Sequence, residues 1–293
     1  MTSVTTHQPP APATTHERKV ARLREAATRI RRHALTMGEV QGQGYIGQAL
    51  GVADILALFY AREDGELRLR PDDPEWAERD RFLLSIGHYA IAFYAALAEA
   101  GTLPVAELDT YGTDDSRLPM SGMASYTPGM EISGGSLGHG LGVACGMGLG
   151  LRRTGSGARV FNLLSDGELD EGSTWEAAMA CAHHGLDNVT AIVDVNGLQA
   201  DGPTPGVLRT EPVTEKWQAF GWHAVRVDGN DMAALRTALD GIREHTGSPS
   251  VLICDTRTGR GVPFLETREK AHFMPVAAHE WQAARDHLEG AHQ

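Results

Sequence analysis

The feature that most constrains the fold of this chain is a series of short apolar runs separated by helical stretches. The runs occupy residues 81–85, 159–164, 189–193, 223–227 and 251–254, and the fourth is half polar. Apolar runs of this length are typical of buried strands. Strands that alternate with helices favour parallel pairing, because each crossover returns the chain to the same edge of the sheet. The sequence therefore predicts an α/β fold, a mainly parallel sheet with helices on both faces.

Helical periodicity begins at residue 16, where apolar residues spaced three and four apart share one face, namely Val20, Leu23, Ala27, Ile30 and Ala34. Further helices are predicted at 47–60, 90–99, 171–184 and 232–245. Residues 1–15 are rich in Thr and Pro and predict a disordered tail. Residues 16–293 contain no linker-like stretch and predict one domain. A basic cluster on the first helix, Arg29, Arg31 and Arg32, is expected on a solvated face.

Charge and cysteine content narrow the classes of function. The formal net charge is −12 and the basic residues are scattered, so neither nucleic acid nor an anionic membrane is an expected partner. No stretch approaches the roughly 20 continuous apolar residues of a membrane helix. Cys145, Cys181 and Cys254 lie far apart without a Cys-x-x-Cys pair, which favours free thiols in a reducing compartment. We expect a cytoplasmic protein.

Polar residues follow two of the predicted strands at the sheet edge where ligands of parallel sheets bind. Asp166 and Gly167 follow the run that ends at residue 164, and Asn196 follows the run 189–193, thirty positions after Asp166. Asp-Gly alone is more often a plain turn. If the two strands are neighbours, Asp166, Asn196 and the Leu198 carbonyl converge, and such oxygen ligands suit Mg²⁺. A magnesium ion with so few protein ligands has open positions that a diphosphate would complete.

Five segments then resemble one family in the right order. SDGELDEGSTWEAAMACAHHGLDNVTAIVDVNGLQADGPT (165–204) resembles the thiamine diphosphate fingerprint of transketolases, a Gly-Asp-Gly followed about thirty residues later by Asn. LLSIGHYAIAFYAAL (83–97) and TPGMEISGGSLGHGLGVACGMGLGL (127–151) are similar to two further family segments. FGWHAVRVDGND (220–231) and GRGVPFLETREKAH (259–272) complete the series. Any single match would be weak, whereas five in order make the resemblance specific.

The resemblance implies a thiamine diphosphate-binding fold and a set of site residues. The metal ligands would be Asp166, Asn196 and the Leu198 carbonyl. The cofactor would be lined by His88, Gly135, Ser136, Leu137 and Gly167. His272 would donate a proton or hydrogen bond to substrate and diphosphate oxygens, and Glu171 would belong to an acidic relay between paired active sites. The implied catalytic residues are thus His272, His88 and Glu171.

The sequence departs from the family at several of these positions. Ser165 replaces the first Gly of the fingerprint, and Phe273 stands where the family usually has Gly. Two substrate-facing histidines of the family are replaced by Tyr45 and Ser121. Tyr and Ser form hydrogen bonds but carry no positive charge near pH 7. The substitutions favour a non-standard substrate, with drift in a weakly active paralogue as the alternative.

Full-length transketolases are about twice this length, and the resemblance covers only their first domain. The second domain of the family supplies the glutamate that activates the cofactor and the pocket for its pyrimidine ring. We therefore expect the N-terminal subunit of a split enzyme for two-carbon ketol transfer, which acts on a ketose or 2-oxo substrate. Its partner would be a C-terminal, transketolase-like subunit that contains the pyrimidine domain, in a two-plus-two heterotetramer. The alternatives are the α subunit of a 2-oxo-acid dehydrogenase and a non-catalytic partner subunit. A plain nucleotide-binding domain, suggested by the Gly-rich 134–150 segment, is weakest because the acidic residue expected after a strand is missing.

Overall fold

The computed structural model describes residues 14–268 and 271–290, so most of the predicted tail lies outside the described residues. The helices are α1 (Thr15–Gln41), α2 (Ile46–Gly51), α3 (Ala53–Tyr60), α4 (Ala90–Ala100), α5 (Gly140–Thr154), α6 (Gly172–His183), α7 (Thr204–Val207), α8 (Val213–Ala219), α9 (Met232–Glu244), α10 (Pro263–Glu266) and α11 (Ala278–Gly290). The strands are β1 (Gln43–Gly44), β2 (Arg81–Leu84), β3 (Val160–Ser165), β4 (Val189–Val195), β5 (Leu198–Gln199), β6 (Gly202–Pro203), β7 (His223–Asp228), β8 (Ser250–Asp255) and β9 (Met274–Pro275).

The five predicted apolar runs form one central sheet. Its strand order is β2-β3-β4-β8-β7, and every neighbouring pair is parallel. Short antiparallel pairs, β1 with β9 and β5 with β6, lie outside this sheet. The predicted α/β class with a parallel sheet is confirmed.

Helices cover both faces of the sheet, as the alternation of side chains along β3 shows. Phe161 and Leu163 point into a core that is shared with α1, α3, α4 and α9. Val160 and Leu164 point the other way, into a core that is shared with α5, α6 and α8. The strand is buried on both faces, which explains why its sequence is mainly apolar, with Asn162 as an exception, and does not alternate.

The first helices differ from the prediction in two respects. Helix α1 begins at Thr15, because Thr14 accepts a hydrogen bond from the Glu17 N–H while the Glu17 side chain accepts one from Thr14 N–H, a capping box. The predicted helix 47–60 is divided at Val52 into α2 and α3.

Arg31 stabilises the break between α2 and α3. Its Nε donates to the Leu50 carbonyl at 3.0 Å, and its guanidinium pairs with Asp54 in the first turn of α3. Asn230 donates to the Gly51 carbonyl at 2.8 Å, so carbonyls at the break have partners. The prediction that Arg31 lies on a solvated face is therefore wrong: its exposure is 7%.

None of the helices within the described ranges combines the length and the apolar character that a membrane span requires.

Candidate active site

The carboxyl ends of β3 and β4 bring together the side chains predicted as metal ligands. Ser165 lies opposite Asp194 in the strand register, and Asp166 N–H donates to the Asp194 carbonyl at 2.9 Å. Asp166 follows β3 directly, and Asn196 follows β4 directly. The condition set by the sequence, that these two strands be neighbours, is met. Both polar side chains therefore lie at one edge of the sheet.

Asp166 is a buried carboxylate with one acceptor position left. Its Oδ1 accepts from Gly167 N–H at 2.9 Å. Its Oδ2 accepts from Gly197 N–H and from the Thr204 hydroxyl, each at 2.9 Å. A carboxylate offers about four lone-pair directions, so three donors leave a free position on Oδ1. Thr204 was not predicted from the sequence, since no motif links it to Asp166.

Asn196 is oriented by a second buried carboxylate. Its Nδ2 donates to Asp194 Oδ2 at 2.7 Å and to the Tyr89 hydroxyl at 2.9 Å, while that hydroxyl donates to Asp194 Oδ2 at 2.8 Å. Asp194 Oδ1 accepts from the Thr256 hydroxyl. Because the amide nitrogen is engaged on this side, the amide oxygen faces the other way, where it accepts from Leu198 N–H at 3.0 Å. One lone pair of that oxygen remains available.

The electrostatics of this edge favour a bound cation. Burial raises the pKa of Asp166 to about 7, and the neighbouring Asp194 charge contributes to that rise. Burial also raises the pKa of Asp194. A divalent cation would offset the repulsion between two buried carboxylates. The free positions on a carboxylate oxygen and an amide oxygen fit Mg²⁺, which prefers oxygen ligands and leaves sites for phosphate oxygens.

A glycine-rich segment forms a backbone wall beside the end of β2. Gly134 packs against Gly87 so closely that a Cβ on Gly134 would lie 2.3 Å from the Gly87 Cα, and no side chain fits there. Gly135 has a φ of +140°, which residues with a side chain rarely adopt. The predicted diphosphate residues Gly135 and Ser136 are exposed, and Leu137 is half-buried. Their backbone groups are open to a ligand.

Tyr45, His88, His272 and Phe273 form a group that we call the ring cluster. Ring centroids lie 4.5 Å apart for Tyr45 and His88, 5.4 Å for Tyr45 and His272, and 5.0 Å for Tyr45 and Phe273. The His88 and His272 centroids lie 5.5 Å apart. Burial lowers the pKa of His88 to about 4, helped by charge on His272, and burial also lowers the pKa of His272. Both imidazoles are therefore neutral near pH 7.

Two other predicted residues lie along the glycine-rich wall. Ser121 Oγ donates to the Gly134 carbonyl at 3.3 Å. Glu171 is exposed at the start of α6, and its Cβ lies 2.7 Å from where a Cβ on Gly138 would be. The buried carboxylate here belongs to Glu168, which no sequence motif indicated. Its Oε1 accepts from the Ser85 hydroxyl and from Gly138 N–H, and burial raises its pKa to about 7.

Gln48 is a further residue that the sequence did not indicate. It lies in α2 with 1% exposure, and its Nε2 is 3.0 Å from the Nδ1 of His272. The two residues are 224 positions apart, so only the folded chain reveals the contact.

Comparison with known proteins identifies the family. Residues 23–292 match the family described as transketolase, thiamine diphosphate binding domain. The chain belongs to the transketolase family. A transketolase family protein of Sinorhizobium fredii is 64% identical over 89% of this chain and 93% of its own length. An apulose-4-phosphate transketolase subunit of Actinobacillus succinogenes is 38% identical over 91% of this chain and 95% of its own length.

A solved structure agrees with the fold. The transketolase of Campylobacter jejuni superposes with a TM-score of 0.85 at 28% identity, over 92% of this chain and 43% of that chain. The predicted resemblance, the predicted enzyme class of a transketolase-like transferase and the thiamine diphosphate-binding fold are thus confirmed. This chain corresponds to less than half of the Campylobacter jejuni transketolase but to nearly all of the Actinobacillus succinogenes protein.

Proposed function

We propose that this chain is the diphosphate-binding subunit of a two-chain transketolase that transfers a two-carbon ketol unit. Thiamine diphosphate, when bound, supplies the carbon nucleophile of that transfer. One observation carries the proposal: Asp166 and Asn196 converge at one sheet edge with free acceptor positions, in a chain of the transketolase family.

The chain's own residues would hold magnesium and the diphosphate. Asp166 Oδ1, Asn196 Oδ1 and the Leu198 carbonyl would bind Mg²⁺. The exposed backbone of Gly135, Ser136 and Leu137 would contact the diphosphate, with His88 beside it. Gly167 N–H, which donates to Asp166 here, would turn to a diphosphate oxygen.

The substrate end of the site supports a non-standard ketose. Tyr45 and Ser121 stand where the family has histidines, and neither side chain bears positive charge near pH 7. A relative that is 38% identical is named for apulose 4-phosphate. His272 would donate a hydrogen bond to a substrate oxygen, and Glu171 would serve in the relay between paired sites.

A partner with the pyrimidine domain is part of the proposal. The outer face of α5 presents Gly142, Gly146 and Gly150, where an added Cβ meets nothing within 4 Å, and Val143 is 40% exposed. Met179 on the adjacent α6 is 51% exposed. Exposed apolar and small residues of this kind support a subunit interface. A two-plus-two heterotetramer would bury this face.

Alternatives have weaker support. The family match favours a transketolase over the α subunit of a 2-oxo-acid dehydrogenase. The ordered hydrogen bonds around Asp166 and Asn196 favour a cofactor site over a non-catalytic scaffold, which needs none of them. Cytoplasmic location also belongs to the proposal, and the three free, buried cysteines support a reducing compartment.

The test compares the chain alone with the chain and its partner. The purified chain, with thiamine diphosphate, magnesium and a panel of ketose donors, is expected to be inactive and to bind cofactor weakly. Addition of a chain with the pyrimidine domain should restore ketol transfer. Substantial transfer by the chain alone would contradict the split enzyme.

A further inference from the structure

Gln48 makes a contact with His272 that the proposed chemistry does not itself require. The glutamine side chain is buried in α2, and its Nε2 lies 3.0 Å from the Nδ1 of His272. An amide nitrogen has two hydrogens and no lone pair to accept with, so it only donates. With the amide in this orientation, the Nδ1 of His272 accepts, and a neutral imidazole then has its proton on Nε2.

The surrounding backbone holds the pair together. Gly259 N–H donates to the Gly47 carbonyl at 2.8 Å, which ties α2 to the loop before His272. A Cβ on Gly47 would lie 3.0 Å from the Ala271 carbonyl oxygen, so the residue before His272 packs directly on α2. Tyr45 meets the imidazole edge-on at 5.4 Å between centroids. The ring is thus held on the Gln48 side, and Nε2 lies on the opposite side of the imidazole.

We propose that Gln48 is a positioning residue that holds His272 as the Nε2–H tautomer. His272 then presents a hydrogen-bond donor, and not a base, to an oxygen-rich anionic or carbonyl ligand. The identity of that ligand, a ketose oxygen or a diphosphate oxygen, rests on the proposed function. The tautomer itself rests on the orientation of the Gln48 amide in this contact and not on the proposed function.

A purely structural role accounts less well for this glutamine. Gln48 Oε1 is buried and has no hydrogen-bond partner among the described residues. A buried polar atom without a partner is destabilising, because its hydrogen bonds to water are lost and not replaced. An apolar residue of the same shape would avoid that cost if packing were the only requirement.

The decisive measurement is the tautomer of His272 in the full-length chain. Long-range ¹H–¹⁵N spectra of ¹⁵N-histidine-labelled protein at about pH 8, above the ordinary histidine pKa of about 6.5, separate protonated from unprotonated ring nitrogens. The His272 signals are assigned by their loss in His272→Asn. We expect a protonated Nε2 and an unprotonated Nδ1 in the wild type.

Gln48→Glu reverses the contact, because a carboxylate accepts where the amide donates. We expect the proton to move to Nδ1 in this variant and the His272 pKa to rise. Gln48→Met matches the side-chain length without a donor and should give a mixture of tautomers, which preserves the test if the glutamate variant unfolds. Gln41→Met is the matched control, since Gln41 Nε2 donates to the Tyr111 carbonyl at 2.7 Å, and it should leave His272 unchanged. A wild-type proton on Nδ1, or one tautomer in all variants, would overturn the inference.

Activity of the assembled enzyme separates this inference from the proposed function. We expect Gln48→Glu to lower kcat by roughly 100-fold, at the lower end of the range for loss of a positioned proton donor, with KM changed by less than about threefold. Gln41→Met should retain wild-type kcat. If the tautomer is as expected but the assembly transfers no ketol unit, the proposed function fails and the positioning role stands. A tautomer switch with unchanged kcat would refute the donor role of His272.

Discussion

Replacing Tyr89 with Phe tests whether a buried tyrosine determines the geometry of the proposed metal site. The Tyr89 hydroxyl donates to Asp194 Oδ2 at 2.8 Å and accepts from Asn196 Nδ2 at 2.9 Å. The ring is 1% exposed, so Phe fills the same space and only the hydroxyl is lost. Asp194 retains Asn196 and Thr256 as donors.

The magnitude follows from these contacts. A hydrogen bond to a charged group contributes about 1.5–3 kcal/mol, and Asp194 loses one of three such donors. We expect the free energy of unfolding to fall by about that amount. Asn196 also loses one of the two contacts that aim its amide oxygen. Loss of such a partner typically weakens metal binding by about 10–100-fold.

Tyr94→Phe is the matched control. Tyr94 is fully buried, and its hydroxyl donates to the Pro119 carbonyl at 2.9 Å. A neutral hydrogen bond contributes about 0.5–1.5 kcal/mol, and this one lies outside the contacts around Asn196. The control should lose stability slightly and retain its metal affinity.

Two assays separate the outcomes. Urea unfolding gives the change in stability, and titration with Mn²⁺ in the presence of thiamine diphosphate, followed by electron paramagnetic resonance, gives metal affinity. We expect weaker Mn²⁺ binding in Tyr89→Phe alone. Equal Mn²⁺ affinity in both variants would refute the claim that Tyr89 orients Asn196, the proposed metal ligand.

Four further outcomes are expected. Asp166→Ala should abolish magnesium-dependent thiamine diphosphate binding in calorimetry of the assembled enzyme, and unchanged affinity would contradict the metal site. With its partner, the enzyme should turn over xylulose 5-phosphate and ribose 5-phosphate at well below ~1 s⁻¹, and Tyr45→His should raise that rate. Arg31→Met leaves Asp54 buried without its cation and should cost about 3–5 kcal/mol in urea unfolding; a cost below about 1 kcal/mol would show that the pair is dispensable. Burial lowers the pKa of His88 to about 4 in the folded chain, whereas an unfolded histidine has a pKa of about 6.5. As the pH falls below ~6.5, the unfolded chain therefore binds a proton before the folded chain does. The free energy of unfolding should consequently drop by roughly 2 kcal/mol by pH 5. His88→Asn should lack this pH-dependent loss of stability, and a pH profile identical to that of the wild type would contradict the prediction.

The sheet and its ligand-binding edge were predictable because both depend on local pattern. Strands buried on both faces are mainly apolar runs, as in β2, β3, β4 and β8, whereas the edge strand β7 is half polar and only partly buried; all five runs became strands of the sheet. Parallel pairing then places every strand end at one edge, and the adjacency of β3 and β4 brings Asp166 to Asn196. The division between α2 and α3 was not predictable, because it depends on Arg31 and Asn230, which reach it from distant parts of the chain.

The residues that orient the site were not predictable for the same reason. Tyr89 lies 105 positions before Asp194, and Gln48 lies 224 positions before His272. Neither residue type indicates a role in the site, since a Tyr or Gln within an apolar helical pattern can equally be a core residue. Asp194 was easier to predict from the sequence, because it lies near the end of a buried strand, two residues before Asn196. A buried Asp at such a position needs hydrogen-bond donors. Two of those donors are the Asn196 amide and the Tyr89 hydroxyl, and the hydroxyl also contacts that amide.

The departures from the transketolase pattern concentrate at the substrate end of the site. Around Asp166 and Asn196, each side chain has the hydrogen bonds that a metal site needs, and the Ser165 substitution leaves them intact. The ring cluster differs: Tyr45 stands where the resemblance places a histidine, and its ring centroid lies 4.5 Å from that of His88, whose pKa burial lowers to about 4. A wall of neutral imidazoles and aromatic rings offers hydrogen bonds to hydroxyls but no charge to a phosphate near pH 7. If the substrate is a sugar phosphate, we expect the cations that neutralise its phosphate to lie outside this cluster, in the proposed partner subunit.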